Sequence, residues 1–243
     1  MARGRAASYG DQRDMILERA AELFARRGYP ATSMNQVAEA AGLSKATLYH
    51  YYRDKYSLLV EIAEGHVSRL VAMTDEVLAQ QGLTPEARVR ELVVRILREY
   101  AHAQHAHRVL TDDVRFLEPH DCERILDMQR RVTGGFAEAI AAWCPAQQAA
   151  GLVKPVTMLL FGMVNWMFTW LKPDGGLSHE AMGAIVADLL VAGVPAVRPP
   201  MRTEADAEAS GGNEHDNNDE DTHKVPRERS ARAAATSTEG DDA

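Results

Sequence analysis

The sequence feature that most constrains the fold lies in residues 33–52, where two short helical patterns flank one glycine. Ser33 is a suitable N-cap for a helix with apolar positions at helical spacing, and Gly42 is placed to end that helix. Ser44 follows as a second N-cap, with small and polar residues in the next turn. Two short helices joined by a tight glycine turn are the pattern of a helix-turn-helix unit.

The second of these helices carries four consecutive ring side chains, Tyr49, His50, Tyr51 and Tyr52. Consecutive residues point all round a helix, so this run cannot form one apolar stripe. Leu48 and Tyr52 lie four apart and are predicted to face inward. A helix that enters the major groove needs small residues near the bases and donors for the phosphates on its flanks. The alternative is that the tyrosines fill a small core with their hydroxyls in water.

We predict that the DNA-contacting residues come from the starts of both helices and from the helix that follows. The set is Thr32, Ser33, Ser44, Lys45, Ala46, Thr47, Tyr49, His50 and Lys55. Hydroxyls and helix N-terminal amides at Thr32 and Ser33 are suited to a phosphate, and the Lys55 ammonium is expected to close a phosphate clamp.

Helical periodicity continues along the chain, without an alternating strand pattern of useful length. A first helix is predicted to end at Gly28. Later helices are predicted at about residues 55–81, 85–105, 121–143, 155–172 and 178–194, with glycine and proline at the breaks. The predicted fold class is therefore all-α.

Charge is distributed unevenly along the chain, whose formal net charge is -8. Residues 1–55 hold nine Lys/Arg against six Asp/Glu, whereas residues 199–243 hold five against twelve. The basic end suits a polyanionic partner, and the acidic end does not. From residue 198 onward large apolar side chains are nearly absent, which predicts a disordered acidic tail.

The location predicted for the protein is the cytoplasm. Two cysteines cannot form a disulfide framework, and the first residues lack the apolar stretch of a secretory signal. The most apolar run, residues 156–171, is shorter than the roughly 20 residues of a membrane-spanning helix. We therefore expect no membrane partner.

The stretch LERAAELFARRGYPATSMNQVAEAAGLSKATLYHYYRDKYSLL, residues 17–59, resembles the DNA-binding domain of the TetR family of transcriptional regulators. Tyr52 stands where that family usually has phenylalanine. The resemblance implies a three-helix DNA-binding domain, a larger helical ligand-binding and dimerisation domain, and repression relieved by a small molecule. The predicted organisation is a flexible N-terminal arm at 1–9, a helix-turn-helix domain at 10–56, a helical domain at 57–197 and the tail at 198–243.

The last two predicted helices are the candidates for a dimer interface, because helix-turn-helix proteins usually bind two half-sites as dimers. Small residues that permit close helix approach are Gly162, Gly183, Ala184 and Ala187, and apolar area comes from Met182, Ile185 and Leu189. The resemblance implies that these two helices pair with those of a second copy in a four-helix bundle. The alternative is packing within one chain alone.

A ligand pocket is predicted near residues 161–178. Trp166 and Trp170 share one helical face, and Asn165 is a polar residue that needs a partner if it is buried. Met163 and Phe116 complete the predicted pocket, and the alternative is an ordinary core.

The combination of Asn165-Trp166 with Trp170 and Pro173-Asp174-Gly175 is similar to that of TetR-family regulators that sense acyl-coenzyme A thioesters. An apolar acyl-CoA or aryl-CoA from fatty-acid, sterol or aromatic-acid catabolism is the effector that this resemblance implies. Four arginines are candidate partners of its phosphates, but arginines on helix surfaces are usually solvated, and that is the interpretation we favour for Arg115, Arg124, Arg130 and Arg131.

Neither a metal site nor an enzyme is predicted. Glu99, His102 and His105 follow one another at i, i+3, but such steps drift round a helix, and a polar helix end needs no metal. The nucleotide-binding, nucleophile-elbow and zinc-protease motifs are absent from the sequence.

Predicted partners are a double-stranded DNA operator, a second copy of the chain and a small-molecule effector, without a cofactor. The alternative is a DNA-binding regulator whose helical domain recruits a protein partner.

Overall fold

The structure, a computed structural model, describes residues 9–171 and 175–199, and this part of the chain is all-helical, as predicted. Three 3-10 turns, Val114–Phe116, Met167–Thr169 and Val194–Ala196, accompany ten α-helices. The helices are α1 Tyr9–Arg27, α2 Met34–Ala40, α3 Lys45–Tyr51, α4 Lys55–Ala79, α5 Pro85–His102, α6 Gln104–Asp112, α7 Pro119–Trp143, α8 Pro145–Ala149, α9 Val153–Trp166 and α10 His179–Gly193. The predicted arm at 1–9, apart from Tyr9, and the predicted tail from residue 200 on lie outside the described residues.

Local capping sets the starts of α2, α3 and α4. Ser33 accepts a hydrogen bond from the Gln36 amide in a reciprocal capping box, and Ser44 accepts one from the Thr47 amide at 3.1 Å. These contacts satisfy backbone donors that a helix N-terminus leaves unpaired. Gly42 adopts φ 65°, a left-handed conformation that costs other residues free energy, and so turns the chain between α2 and α3.

The helix predicted at residues 85–105 is two helices in the structure. α5 ends at His102, Ala103 leaves helical geometry at φ -127°, and α6 begins at Gln104. No glycine or proline marks this break in the sequence. It arises because α5 packs on α7 and α10, whereas α6 packs on α1 and α4, so the two segments must run in different directions. The i, i+3 edge through Glu99, His102 and His105 is therefore not continuous.

The helix α4 contributes to two large hydrophobic clusters and to a small third one around Val67 and Ile125. Its first turns place Leu58, Leu59 and Ile62 in an N-terminal cluster with residues from α1 to α3. Its second half, from Leu70 to Val77, belongs to a C-terminal cluster built with α5, α7, α9 and α10. The predicted domain boundary after residue 56 thus falls in the first turn of a helix that both clusters share, and α4 is a rigid connection between them.

Close packing of α4 on α7 depends on Gly135. A Cβ added at this position would lie 2.5 Å from Thr74 Cγ2, closer than real contacts allow. Gly135→Ala is therefore expected to lower the free energy of unfolding by about 1–3 kcal/mol. Gly134→Ala is the matched control, because nothing lies within 4 Å of its added Cβ. Chemical denaturation at one protein concentration should show a loss for the first variant and none for the second; equal effects would contradict the packing argument.

Candidate functional site

The helix α3 rests on the N-terminal cluster by one side and presents the other to solvent. Leu48 is fully buried and Tyr52, the residue after α3, is 3% exposed, as the spacing predicts. The Tyr52 hydroxyl donates to Glu61 Oε1 at 3.2 Å, which ties this end of α3 to α4. Six of the predicted DNA-contacting residues are exposed on and before α3: Ser44, Lys45, Ala46, Thr47, Tyr49 and His50.

The exposed surface of α3 combines small residues, hydroxyls and one full cation. The Ser44 and Thr47 hydroxyls lie 2.7 Å apart at the start of the helix, and Ala46 stands beside them. Lys45 Nζ lies 5.8 Å from the centre of the Tyr49 ring, and Tyr49 is 45% exposed. A small N-terminal turn followed by a tyrosine hydroxyl and an ammonium offers base-edge approach and phosphate contacts on one helix.

Thr32 is not a surface hydroxyl, contrary to the sequence prediction. It is 2% exposed and donates to the Gly28 carbonyl oxygen at 3.0 Å, so it closes the loop between α1 and α2. Ser33 is exposed, but its Oγ caps α2 and lies 3.1 Å from Gln36 Oε1. The sequence pattern did not distinguish the buried Thr32 from the exposed Ser33, because which of two neighbouring hydroxyls is buried depends on how the loop folds.

Lys55 also differs from its predicted role, because its ammonium is committed within the protein. Lys55 Nζ donates to the Tyr29 carbonyl oxygen at 2.7 Å and to that of Pro30 at 3.3 Å. It also lies 4.3 Å from the centre of the Tyr29 ring. Burial lowers the pKa of Lys55, while the nearby Asp113 carboxylate opposes this shift. Lys55 therefore holds the loop after α1 against the start of α4.

The same loop is held from the other side by the end of α6. Asp113 is 4% exposed, and its carboxylate is hydrogen-bonded by the Tyr29 backbone amide. The Phe116 ring packs against the Tyr29 ring at 5.5 Å between centres. We call Tyr29, Lys55, Asp113 and Phe116 the Tyr29 clamp. Phe116 therefore belongs to this clamp and not to the ligand pocket that was predicted for it. The sequence pattern carried no signal for the roles of Tyr29 and Asp113.

Loss of the Lys55 contacts is expected to destabilise the protein. Lys55→Met keeps the aliphatic stem but leaves two carbonyl oxygens without their donor, which costs about 1–3 kcal/mol. Arg53→Met is the control, since the Arg53 side chain is 87% exposed. Thermal melting should fall for Lys55→Met only. If Lys55→Met instead melts like the parent and only weakens nucleic-acid binding, Lys55 is a phosphate contact after all.

A broad apolar surface lies on α9, α10 and the turn after α9, which we call the α9–α10 face. Trp166 is 66% exposed and Trp170 is 51% exposed. The groove between the two helices has a volume of about 870 Å³ and an almost entirely apolar lining. Other exposed members are Met158, Leu159, Met163, Ile185 and Leu189. The segment His179–Ala196 is apolar and long enough to cross a membrane by length and composition, and a third of it is buried.

The residues predicted as one ligand pocket are divided between separate surfaces. Met163, Trp166 and Trp170 belong to the outward α9–α10 face. Asn165 turns inward, where its Oδ1 accepts a hydrogen bond from the Tyr100 hydroxyl at 2.9 Å. One helix carries both sets because adjacent residues are about 100° apart, and the sequence could not show which side of α9 is covered.

The small residues predicted at the dimer interface are divided in the same way. Gly183 packs within the chain, since an added Cβ would lie 3.2 Å from Val94 Cα of α5. Ala187 and Met182 are also buried, whereas Gly162, Ala184, Ile185 and Leu189 are exposed. Close approach at Gly183 therefore serves the α5–α10 contact, and the outward side of α10 stays available.

Four polar side chains meet where α4, α5, α6 and α9 pack together, and we call them the buried histidine cluster: His66, Tyr100, His107 and Asn165. His66 Nε2 and His107 Nδ1 are 3.3 Å apart, and both residues are less than 5% exposed. The Tyr100 ring stacks on the His107 ring at 3.7 Å, and its hydroxyl reaches Asn165. Among the described residues, His66 Nδ1 and His107 Nε2 have no hydrogen-bond partner.

Burial sets the protonation of this cluster. It lowers the pKa of His66 to about 3, with further lowering from His107 and Arg69, and the pKa of His107 to about 4. Both imidazoles are therefore neutral at physiological pH. The sequence pattern did not indicate that His107 is buried, because its burial depends on helices that are distant in sequence.

Three of the four arginines considered for ligand phosphates are engaged in surface ion pairs. Arg124 pairs with Glu64 and Asp121, and Arg131 pairs with Asp75. Arg130 pairs with Glu123 at 2.9 Å. Exposed pairs of this kind contribute little to stability, and their carboxylates already neutralise the cations.

Comparison with known proteins identifies both halves of the chain. Residues 16–62 match the family described as "Bacterial regulatory proteins, tetR family", and residues 82–194 match "Tetracyclin repressor-like, C-terminal domain". The HTH-type transcriptional repressor KstR2 of Rhodococcus jostii is 33% identical over 106 residues. That alignment covers 44% of this chain and 52% of KstR2, so the chain spans about half of this relative.

Two solved structures extend the similarity over most of the chain. AibR, solved with isovaleryl coenzyme A and operator DNA, is 25% identical with a TM-score of 0.62, covering 76% of this chain and 98% of AibR. A TetR-family transcriptional regulator from Bordetella parapertussis is 32% identical with a TM-score of 0.72. The match covers 78% of this chain and 99% of that regulator. With the helix-turn-helix unit and the helical domain both matched, the chain belongs to the TetR family of transcriptional regulators.

Proposed function

We propose that this protein is a repressor that binds a palindromic DNA operator as a homodimer and is released by a small apolar metabolite. The observation that carries the proposal is the outward surface of α3. Leu48 anchors the helix, and Ser44, Lys45, Thr47, Tyr49 and His50 face solvent. That composition fits a recognition helix, whose first residues reach base edges while its flanks contact phosphates.

The α9–α10 face supports the homodimer. A monomeric soluble protein rarely leaves so large a continuous apolar surface in water, and two tryptophans more than half exposed mark a contact surface. A second copy is a fitting occupant, because a two-fold axis lets the same surface meet itself. Such a dimer also holds two α3 helices at a fixed separation, which half-sites about 34 Å apart require.

The effector proposal is supported by one relative and by the buried histidine cluster. AibR was solved with isovaleryl coenzyme A, and KstR2 is a repressor by name. In this chain, His66 and His107 each offer a buried nitrogen without a partner, and Asn165 lies nearby through Tyr100. Buried polar atoms of this kind are suited to an incoming polar group of an otherwise apolar ligand. We place this regulator in the cytoplasm with its DNA.

DNA binding is tested by selecting sites from a random-sequence DNA pool with the full-length protein. An inverted repeat with half-sites about one helical turn apart is expected. Lys45→Ala and Tyr49→Phe should weaken binding to selected and unrelated DNA by similar factors, and Lys45→Ala should lower the salt slope by about one. Arg131→Ala, which removes one cation from α7, should change neither. Failure to enrich any sequence would overturn the proposal.

The effector is tested by titrating the protein–DNA complex with isovaleryl coenzyme A, isovalerate and coenzyme A in separate experiments, followed by longer acyl thioesters. Release by a thioester, with much weaker effects of the acid and the carrier, is expected. A stabilised protein in melting experiments should accompany it. If no thioester acts, the second candidate function gains, in which the α9–α10 face recruits a protein partner.

A further inference from the structure

A cleft lies where α1 and α4 meet the break between α5 and α6, and its volume is about 510 Å³. None of its described lining residues belongs to α3, to the Tyr29 clamp, to the buried histidine cluster or to the α9–α10 face. Its apolar lining includes Leu17, Ala21 and Ile62, which belong to the N-terminal cluster or pack against it. The cleft is therefore a separate surface between the N-terminal helices and the helical domain that follows.

One side of α4 runs along the cleft and carries opposite charges at its two ends. Glu61, Gly65 and Arg69 follow one another at four-residue steps, so they share this side, and all three line the cleft. Glu61 and Arg69 are about 12 Å apart along the helix axis. A Cβ added at Gly65 would lie 3.8 Å from Arg69 Nη1, so the guanidinium lies over the glycine. The missing side chain at Gly65 thus leaves room between a carboxylate and a guanidinium.

The helix α1 adds two carboxylates to this cleft. Asp14 and Glu18 lie four residues apart on one side of α1, and both are exposed and line the cleft. The contact of Arg13 with Glu61 places this acidic wall beside the Glu61 end of α4. Neither Asp14 nor Glu18 has an ion-pair partner among the described residues. Two like charges on adjacent turns repel each other, so both carboxylates are available for a cation.

The remaining polar wall of the cleft carries hydrogen-bond donors. Arg69 has no ion-pair partner in the described part of the chain, although its guanidinium is held over Gly65. His102 and His105, on either side of the break at Ala103, line the same cleft. Guanidinium and imidazole N–H groups donate to a carboxylate, and a guanidinium can bind both of its oxygens. This wall is therefore suited to a carboxylate.

We propose that the cleft binds a small zwitterion whose ammonium meets Asp14 and Glu18 and whose carboxylate meets Arg69. A ligand with one charge leaves the groups on the other wall unmatched, whereas a zwitterion pairs with both walls. Hydrogen bonds of about 2.8 Å at each end of a span of about 12 Å leave about 6 Å between its charges. An amino acid whose amine and carboxylate end a chain of about five carbons has this separation. Its methylene groups cover Leu17 and Ile62, and the bound ligand joins α1 to the α5–α6 break.

The test is calorimetric titration of the full-length protein with δ-aminovalerate, a zwitterion of this length. Three further probes separate its features: n-pentylamine has the ammonium alone, valerate has the carboxylate alone, and glycine has both charges side by side. δ-Aminovalerate should bind at one site per chain with a dissociation constant below about 1 mM. The three other probes should bind at least about tenfold more weakly.

Glu18→Gln removes one charge of the acidic wall, and Arg69→Gln removes the guanidinium. Each should weaken δ-aminovalerate binding about tenfold or more. The matched controls are Glu138→Gln and Arg131→Gln, at exposed positions of α7, which should bind like the parent. All four variants should melt like the parent without ligand, because exposed charges contribute little to stability.

Three results would each overturn the zwitterion site. The first is a parent protein that does not bind δ-aminovalerate. The second is binding of n-pentylamine, valerate or glycine as tight as that of δ-aminovalerate, because the two separated charges are then not recognised together. The third is a loss of affinity in the two α7 controls equal to that in Glu18→Gln and Arg69→Gln, because the ligand then does not bind in this cleft.

Discussion

Trp166→Glu is expected to convert the dimer into monomers and to abolish operator binding. The side chain is 66% exposed in one chain, so the substitution should leave the fold intact. In a two-fold interface the change occurs twice, and each lost aromatic contact at an interface centre costs about 2–4 kcal/mol. The dimer dissociation constant should therefore rise by more than about a thousandfold, which sedimentation velocity measures directly.

Ala142→Glu is the control for this experiment, because it adds the same charge at an exposed small residue of α7 that does not line the groove of the α9–α10 face. It should remain dimeric and bind DNA. A Trp166→Glu protein that stays dimeric would show that the interface lies elsewhere. That result would leave the groove of about 870 Å³ to a different occupant and favour the partner-recruiting function.

Acid should destabilise this protein through the buried histidine cluster. Folding lowers the pKa of His66 to about 3 and that of His107 to about 4, from about 6.5 in the unfolded chain. Below about pH 6.5 the unfolded chain therefore binds more protons than the folded one. The stability is present above this pH and is lost as the pH falls toward 4, with each histidine contributing up to about 1.4 kcal/mol per pH unit.

The measurement is the free energy of unfolding between pH 7.5 and about pH 4.5, at one protein concentration. The double variant His66→Leu/His107→Phe replaces both imidazoles with apolar groups and should show a flatter dependence. His120→Gln, at an exposed position, should retain the parent slope. Should the double variant fold poorly, the histidine ring signals of the parent in NMR provide a second reading. Titration of both rings near pH 6.5 in the folded protein would contradict the prediction.

Local sequence patterns determined the helix-turn-helix unit. Ser33, Gly42 and Ser44 specify helix starts and a left-handed turn through contacts within a few residues, and those contacts form wherever the chain folds. The inward direction of Leu48 also follows from helical periodicity. The all-α class, the ends of most helices and the family resemblance therefore all came from the sequence.

Tertiary structure decided which side of each helix is covered, because burial depends on residues far apart in the chain. It turned Asn165 inward to Tyr100 while Trp166, its neighbour, faces outward. It also committed Lys55 to the carbonyl oxygen of Tyr29, 26 residues earlier, and divided the helix predicted at 85–105 at Ala103. A periodic pattern specifies a face, but only the packed neighbours specify what that face meets, and this is why the predicted pocket separated into a clamp, a buried cluster and an exposed apolar face.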